Sequence, residues 1–351
     1  MPIITRDTKQ IMKIAFSLIG SLALLAIVSP VAAVAQNSSL RGTIEIDGSS
    51  TVYPISEAAA SGFNKKYPSV KVNVGVSGTG GGFKRFTKGE TDISDASRPI
   101  KDSEFEACRS AGVGFYEIPV AYDGLTLVVH KSNDWVDYLT VDEIRKIFTT
   151  EGGAKTWSEV RAGWPNSVIK IFAPGTDSGT FDYFKEVVVG KSETSLRSDM
   201  STSEDDNVLV TGVSGSPNAI GFFGVAYYQE NKDKLKSVAV VNPTTGAKVA
   251  PTATTIEDGT YAPFSRPLFI YVNAKSFRRA EVRQFVAYYL QNAPKMAQST
   301  GYVALPASIY REGMMRCRSQ DKGVGTHYLT EALEKRSGAV TNVYKASNLV
   351  K

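Results

Sequence analysis

Cysteine and histidine are nearly absent: the 351 residues contain two of each, Cys108, Cys317, His130 and His327. That excludes the usual structural zinc site, because the two histidines are not spaced as ligands around the two cysteines. The chain also has no G-x-S-x-G elbow; Gly75-Val76-Ser77-Gly78-Thr79 and Gly212-Val213-Ser214-Gly215-Ser216 both miss the second glycine. Gly78-Thr79-Gly80-Gly81-Gly82-Phe83-Lys84 lacks the Gly before Lys and the hydroxyl after it, so it is not a P-loop. There is no basic run with interleaved aromatics, and the formal charge is only +5, so nothing points to nucleic acid. Beyond the N-terminus no apolar run reaches membrane-spanning length.

The N-terminus is patterned differently. Arg6, Lys9 and Lys13 form a basic start, Ile14 to Val28 is uncharged and mostly apolar, and Ala33-Val34-Ala35 is a run of small residues. This pattern predicts a signal peptide over 1–35, cleaved before Gln36, and a periplasmic protein. No Cys follows the apolar run, which argues against a lipid anchor. The remaining chain is long enough for two domains. In an exported chain, two cysteines can form one disulfide.

What is abundant is Ser, Thr and Gly at strand-to-helix turns. Val168 to Phe172 reads as a strand, Phe181 to Val189 as a helix, and Ala173-Pro174-Gly175-Thr176-Asp177-Ser178-Gly179-Thr180 joins them, with Ser178 as N-cap. Asp47-Gly48-Ser49-Ser50-Thr51-Val52-Tyr53-Pro54 has the same grammar, with Pro54 suited to a first helical turn. Ser77-Gly78-Thr79-Gly80-Gly81-Gly82 is a third such turn. Helix N-termini leave backbone N–H groups without internal partners, and their dipoles favour an anion. Three such turns point to one oxyanion held mainly by neutral donors, without the charge clamp of phosphoryl transfer.

The order of elements supports this. Val70 to Val76 alternates with period two; helices are expected over Pro54–Lys66, Gly81–Lys88, Asp102–Ala111 and Ala280–Gln291. Capping boxes open helices at Thr140-Val141-Asp142-Glu143 and Thr156-Trp157-Ser158-Glu159. Gly114–Val120 and Leu125–His130 read as strands separated by a turn at Ala121-Tyr122-Asp123-Gly124. Lys191–Asp206 is a long polar stretch, Thr252–Pro263 reads as a loop, and the chain after Cys317 as partly helical. Alternating strands and helices predict an α/β chain with mainly parallel sheets and a ligand at their carboxyl ends. Ser97-Arg98-Pro99 and Ser265-Arg266-Pro267 echo each other. Arg98 is the strong cation beside a candidate turn, either an anion ligand or a salt-bridge partner of Asp95 or Asp92. Asp47, Asp123 and Asp177 are candidate acceptors or plain turn residues.

Asp47-Gly48-Ser49-Ser50-Thr51-Val52, Gly78-Thr79-Gly80-Gly81-Gly82, Asp92-Ile93-Ser94-Asp95-Ala96-Ser97-Arg98 and Thr176-Asp177-Ser178-Gly179-Thr180 occur in an order that resembles the periplasmic phosphate-binding proteins. These are the soluble receptors of a phosphate ABC importer. The resemblance implies a two-lobed, type II binding-protein fold joined by two crossing strands, with lobe one at 36–121 plus 266–351 and lobe two at 122–265. It implies phosphate contacts from Ser50, Thr51, the Val52 backbone, Thr79, Gly80, Ser178, Gly179 and Thr180. It also puts Cys108 and Cys317 in one lobe, where they are expected to pair. Two positions depart from the family pattern. Pro174 stands where well-known members carry an Arg, and Ser97 where they carry an Asp acceptor. Arg98 is the expected substitute cation and Asp123 the expected acceptor. The expectation is a monomeric, non-enzymatic receptor that delivers inorganic phosphate to a membrane permease, without cofactor or metal. The alternatives are a receptor for sulfate or a phosphonate, or a secreted phosphate-ester hydrolase.

Overall fold

The computed structural model describes residues 40–351 except 177, 191, 192, 204, 319–324, 329–342 and 351. The expected signal peptide, 1–35, lies outside the described residues. In chain order the strands are β1 (Gly42–Gly48), β2 (Val70–Val76), β3 (Ile93–Ala96), β4 (Phe115–His130), β5 (Tyr138–Leu139), β6 (Lys170–Pro174), β7 (Ser201–Ser203), β8 (Ala219–Gly224), β9 (Leu235–Ser237), β10 (Ala239–Val241), β11 (Lys248–Val249), β12 (Ser265–Asn273), β13 (Gly325–Tyr328) and β14 (Leu349–Val350). The helices are α1 (Tyr53–Lys66), α2 (Gly78–Phe86), α3 (Asp102–Ser110), α4 (Val141–Phe148), α5 (Trp157–Val160), α6 (Gly179–Val188), α7 (Asp206–Ser214), α8 (Val225–Glu230), α9 (Ala253–Glu257), α10 (Ala280–Ser299) and α11 (Ala307–Arg318). None of the described helices is long and apolar enough to cross a membrane.

The main sheet runs β2-β1-β3-β12-β4-β8-β6-β7. Its flanks are parallel, β1 with β2 and β3 on one side and β6 with β7 and β8 on the other. Its centre is antiparallel, β3 to β12 to β4 to β8. The expectation of mainly parallel sheets therefore holds for the flanks and fails at the middle. The two central strands run the chain out of one parallel flank and back again. This arrangement is the two-lobed binding-protein fold, built on one mixed, curled sheet.

Each flank has its own aromatic packing. The apolar face of α1, Ile55, Ala59 and Phe63, is fully buried, and Phe63 meets Phe285 of α10 edge-on with ring centroids 5.3 Å apart. On the other side Phe184 of α6 stacks on Phe222 of β8 at 3.8 Å, and Phe148 of α4 packs against both.

Both capping boxes form as expected, and Pro54 lies in the first turn of α1. The Asp123-Gly124 turn does not form: β4 is one strand of 16 residues, almost entirely buried. Its partner β12 extends across the proposed break, pairing Arg266 with Asp123 and Ser265 with Gly124. Gly124 serves close packing instead, since a Cβ there would lie 2.5 Å from Ile256 Cδ1. The register of the pair slips between Leu268 and Phe269, a β-bulge. α9 lies in a stretch read as a loop, α7 follows the polar stretch Lys191–Asp206, where no element was expected, and α10 continues through Pro294 to Ser299.

The expected Cys108–Cys317 disulfide is not formed. Cys108 is a free thiol on the buried face of α3, and burial pushes its pKa up to about 12. A thiol facing the core needs no partner to be stable there. The Cys317 side chain lies outside the described residues.

Candidate functional site

The three Ser/Thr/Gly turns meet at one place. β1 ends at Gly48, and Ser49 then organises the turn into α1: its carbonyl accepts from the N–H groups of Val52 and Tyr53, and its hydroxyl accepts from Thr51 N at 3.2 Å. α2 starts at Gly78, three residues before its expected start, so Thr79 and Gly80 sit on its first turn. It comes so close to β1 that a Cβ at Gly82 would lie 2.6 Å from Gly48 Cα. The Thr79 hydroxyl is 3.1 Å from that of Ser97 and accepts from Ser97 N at 3.2 Å, tying the second turn to the end of β3.

The third turn closes on the first. Ser178 caps α6, accepting from Thr180 N at 3.2 Å. Thr51 Oγ1 donates to Gly179 O at 3.3 Å, and Ser50 Oγ donates to Asp182 Oδ2 at 3.0 Å. Between them lies a cavity of about 190 Å³.

Of the expected ligand residues, Ser50, Thr51, Thr79, Gly80 and Arg98 line this cavity. Val52 does not: its side chain is core and its N–H is bonded to Ser49. Ser178, Gly179 and Thr180 stand beside it, with Ser178 and Thr180 bonded to each other in the helix cap. Asp177 lies outside the described residues. Asp47 is structural: Oδ1 accepts from Gly48 N, and Oδ2 accepts from Ser77 Oγ and from Arg85 Nη1 at 2.7 Å.

Arg98 is bound differently from either expectation. Both of its terminal nitrogens donate to Glu104, at 2.9 and 2.8 Å, rather than to Asp95 or Asp92. Glu104 is itself anchored, since its Oε2 accepts from Lys101 N at the start of α3. Burial works against the Arg98 charge, and the Glu104 carboxylate more than restores it.

The residue that the sequence reading left aside is Arg266. It lines the cavity from β12, together with Asp182 and Glu186 of α6. Its Nε donates to Asp123 Oδ2 at 3.3 Å, its Nη1 to Glu186 Oε2 at 3.0 Å and its Nη2 to Thr51 Oγ1 at 3.1 Å. Its guanidinium lies 3.6 Å from the centroid of the Tyr183 ring. Asp123, fully buried, stands behind Arg266 rather than on the cavity wall. Burial pushes its carboxyl up to about 6, with the charge and hydrogen bond of Arg266 pulling it back. The signal for Arg266 was its Ser-Arg-Pro echo of residues 97–99, because both arginines reach the same cavity.

Comparison with known proteins settles the family. The PBP superfamily domain matches residues 33–293. The chain belongs to the PBP superfamily. Within it, the chain is 47% identical to Protein SphX of Synechococcus elongatus over 92% of this chain and 96% of that one. It is 40% identical to the phosphate-binding protein PstS of Staphylococcus haemolyticus, over 81% and 87% of the two chains. Among solved structures it resembles a possible phosphate binding protein from Planctomyces limnophilus, with 44% identity and a TM-score of 0.77, covering 80% of this chain and 99% of that one. Members of this superfamily are in general solute-binding proteins.

Proposed function

We propose that this protein captures inorganic phosphate outside the cytoplasm and hands it to an ABC permease, without chemical change to the ligand. The observation that carries the reading is the small cavity lined by two Ser/Thr/Gly turns and Arg266, with the third turn closing on the first beside it. Hydroxyls, helix N-termini and one cation suit a compact oxyanion held reversibly. Close relatives bearing phosphate-binding names support the choice of phosphate among such anions.

Selectivity between phosphate and sulfate rests on a proton. Phosphate at neutral pH keeps a proton that must be accepted, and sulfate has none, so one carboxylate in the cavity separates anions of equal shape. With Asp47 engaged elsewhere and Asp123 behind Arg266, we assign the acceptor role to Asp182, which reaches the cavity from the first turn of α6 and accepts from Ser50. Titration calorimetry of phosphate-free protein with phosphate and sulfate tests both statements. Wild type should bind phosphate and reject sulfate, and Asp182→Asn should narrow that gap. A preference for sulfate would overturn the reading. Turnover of a chromogenic phosphate ester would favour the hydrolase.

A further inference from the structure

Arg266 has three donor groups aimed at three parts of the molecule: Nε at the neighbouring crossing strand, Nη2 at the first turn and Nη1 at α6. The partners differ in how firmly they are held. Asp123 is fully buried and is the direct cross-strand partner of Arg266 in the β4–β12 register. Tyr183 is buried under the guanidinium face, its hydroxyl donating to Pro263 O at 2.7 Å. Glu186 is the exception. Its side chain is 63% exposed, whereas that of Arg266 is 13% exposed. An ion pair with a solvated carboxylate on a long side chain is cheap to separate. Glu186 lines the same cavity, so its carboxylate sits at the rim of the space proposed for the ligand.

Arg98 shows the contrast. Both of its terminal nitrogens are taken by one carboxylate, and that carboxylate is only 16% exposed and fixed by the start of α3. An incoming anion would have to break a forked, half-buried pair to reach Arg98. To reach Arg266 it has only to move Glu186 aside.

We propose that Arg266 reads the charge of the ligand, and that Glu186 is an internal anion that the ligand displaces from its Nη1. Asp123 and Tyr183 hold the other edge and the face of the guanidinium in place during the exchange, as positioning residues. This rests on the phosphate reading above and deepens it. In the empty site Nη1, the donor that neither Asp123 nor Thr51 takes, then keeps a partner, and an unmade hydrogen bond there would be costly. Binding exchanges one oxyanion for another on a preset fork.

The test is a double-mutant cycle read by calorimetric titration with inorganic phosphate at fixed ionic strength. Removing the internal competitor should strengthen binding, so Glu186→Gln is expected to tighten phosphate about threefold to tenfold. Arg266→Gln is expected to weaken it at least about thirtyfold, the scale of a lost charged hydrogen bond. In the Arg266→Gln background, Glu186→Gln should change nothing. If Arg266→Gln does not fold, Arg266→Lys serves in the same cycle and should keep only part of the Glu186→Gln effect, because it lacks the fork. Weaker binding by Glu186→Gln would make that residue a ligand contact and overturn the proposal. Equal tightening with and without Arg266 would reduce the effect to general repulsion and overturn it as well. A wild type that binds no phosphate would instead sink the functional reading itself.

Discussion

Gly179 and Thr51 touch backbone to backbone: a Cβ on Gly179 would lie 2.4 Å from Thr51 Cα and 2.7 Å from Thr51 N. This is the point at which the third turn reaches the first, and only a residue without a side chain allows it. Gly179→Ala should therefore hold the two turns apart. Overpacking of this kind costs about 1–3 kcal/mol, and here the penalty falls on the form in which the turns meet. We expect phosphate affinity to drop roughly tenfold or more, with little change in thermal stability. Calorimetric titration beside a melting curve checks this, and unchanged affinity would show that the turns need not meet.

Arg98 and Glu104 make a separate prediction. Truncating one member of a half-buried, forked pair leaves the other unsatisfied, so Arg98→Gln should destabilise the fold by about 1–3 kcal/mol. Phosphate affinity should fall less than in Arg266→Gln. Urea unfolding and titration on both variants decide the matter; an equal loss of affinity would restore Arg98 as the ligand's cation.

Cys108 is predicted to be a slow thiol. Burial and the nearby Glu104 charge push its pKa up to about 12, so almost no thiolate exists at pH 8. Iodoacetamide should leave Cys108 unmodified in the folded protein and alkylate it fully in guanidinium without reductant. Mass spectrometry reads both. Failure to label the unfolded, unreduced protein would mean that a disulfide is present after all.

Asp95 gives a pH dependence with a definite sign. It is fully buried at the end of β3. Burial pushes its carboxyl from 3.8 up to about 7, the Ser56 hydroxyl pulling against this and the Asp47 charge adding to it. The folded state thus holds a proton that the unfolded state has released between those values. Stability should fall as pH rises from about 4 to about 7, by an amount on the order of a few kcal/mol. Asp95→Asn removes the titration, so the variant should gain on wild type as pH rises. Melting temperatures at pH 5 and pH 8 test this, and a difference independent of pH would refute it.

The sequence was readable where the deciding forces are local. Caps at Thr140, Thr156 and Ser178 form as expected because a side chain and a backbone N–H three or fewer residues apart determine them. Reading failed where distant partners decide. Asp123-Gly124 has the composition of a turn, yet pairing with Arg266 and Ser265 of β12, far along the chain, holds it extended. Arg266 belongs to the site through Thr51 and Asp123, 215 and 143 residues away in sequence. Within α7, which no local signal was taken to mark, the missing side chain of Gly212 makes room for the ring of Phe172, a partner 40 residues earlier.

The slip in register between Leu268 and Phe269 has a mechanical consequence. A ribbon of two hydrogen-bonded strands resists bending and yields more easily to twist, and a bulge is where twist concentrates. That soft spot lies two residues from Arg266. Arg266 therefore stands beside the point where a twist of the ribbon would concentrate, with its Nη2 on Thr51 of the first turn and its Nη1 on α6. A twist there would change the spacing between the guanidinium and its two partners, so the cation and the turns are linked mechanically as well as by charge.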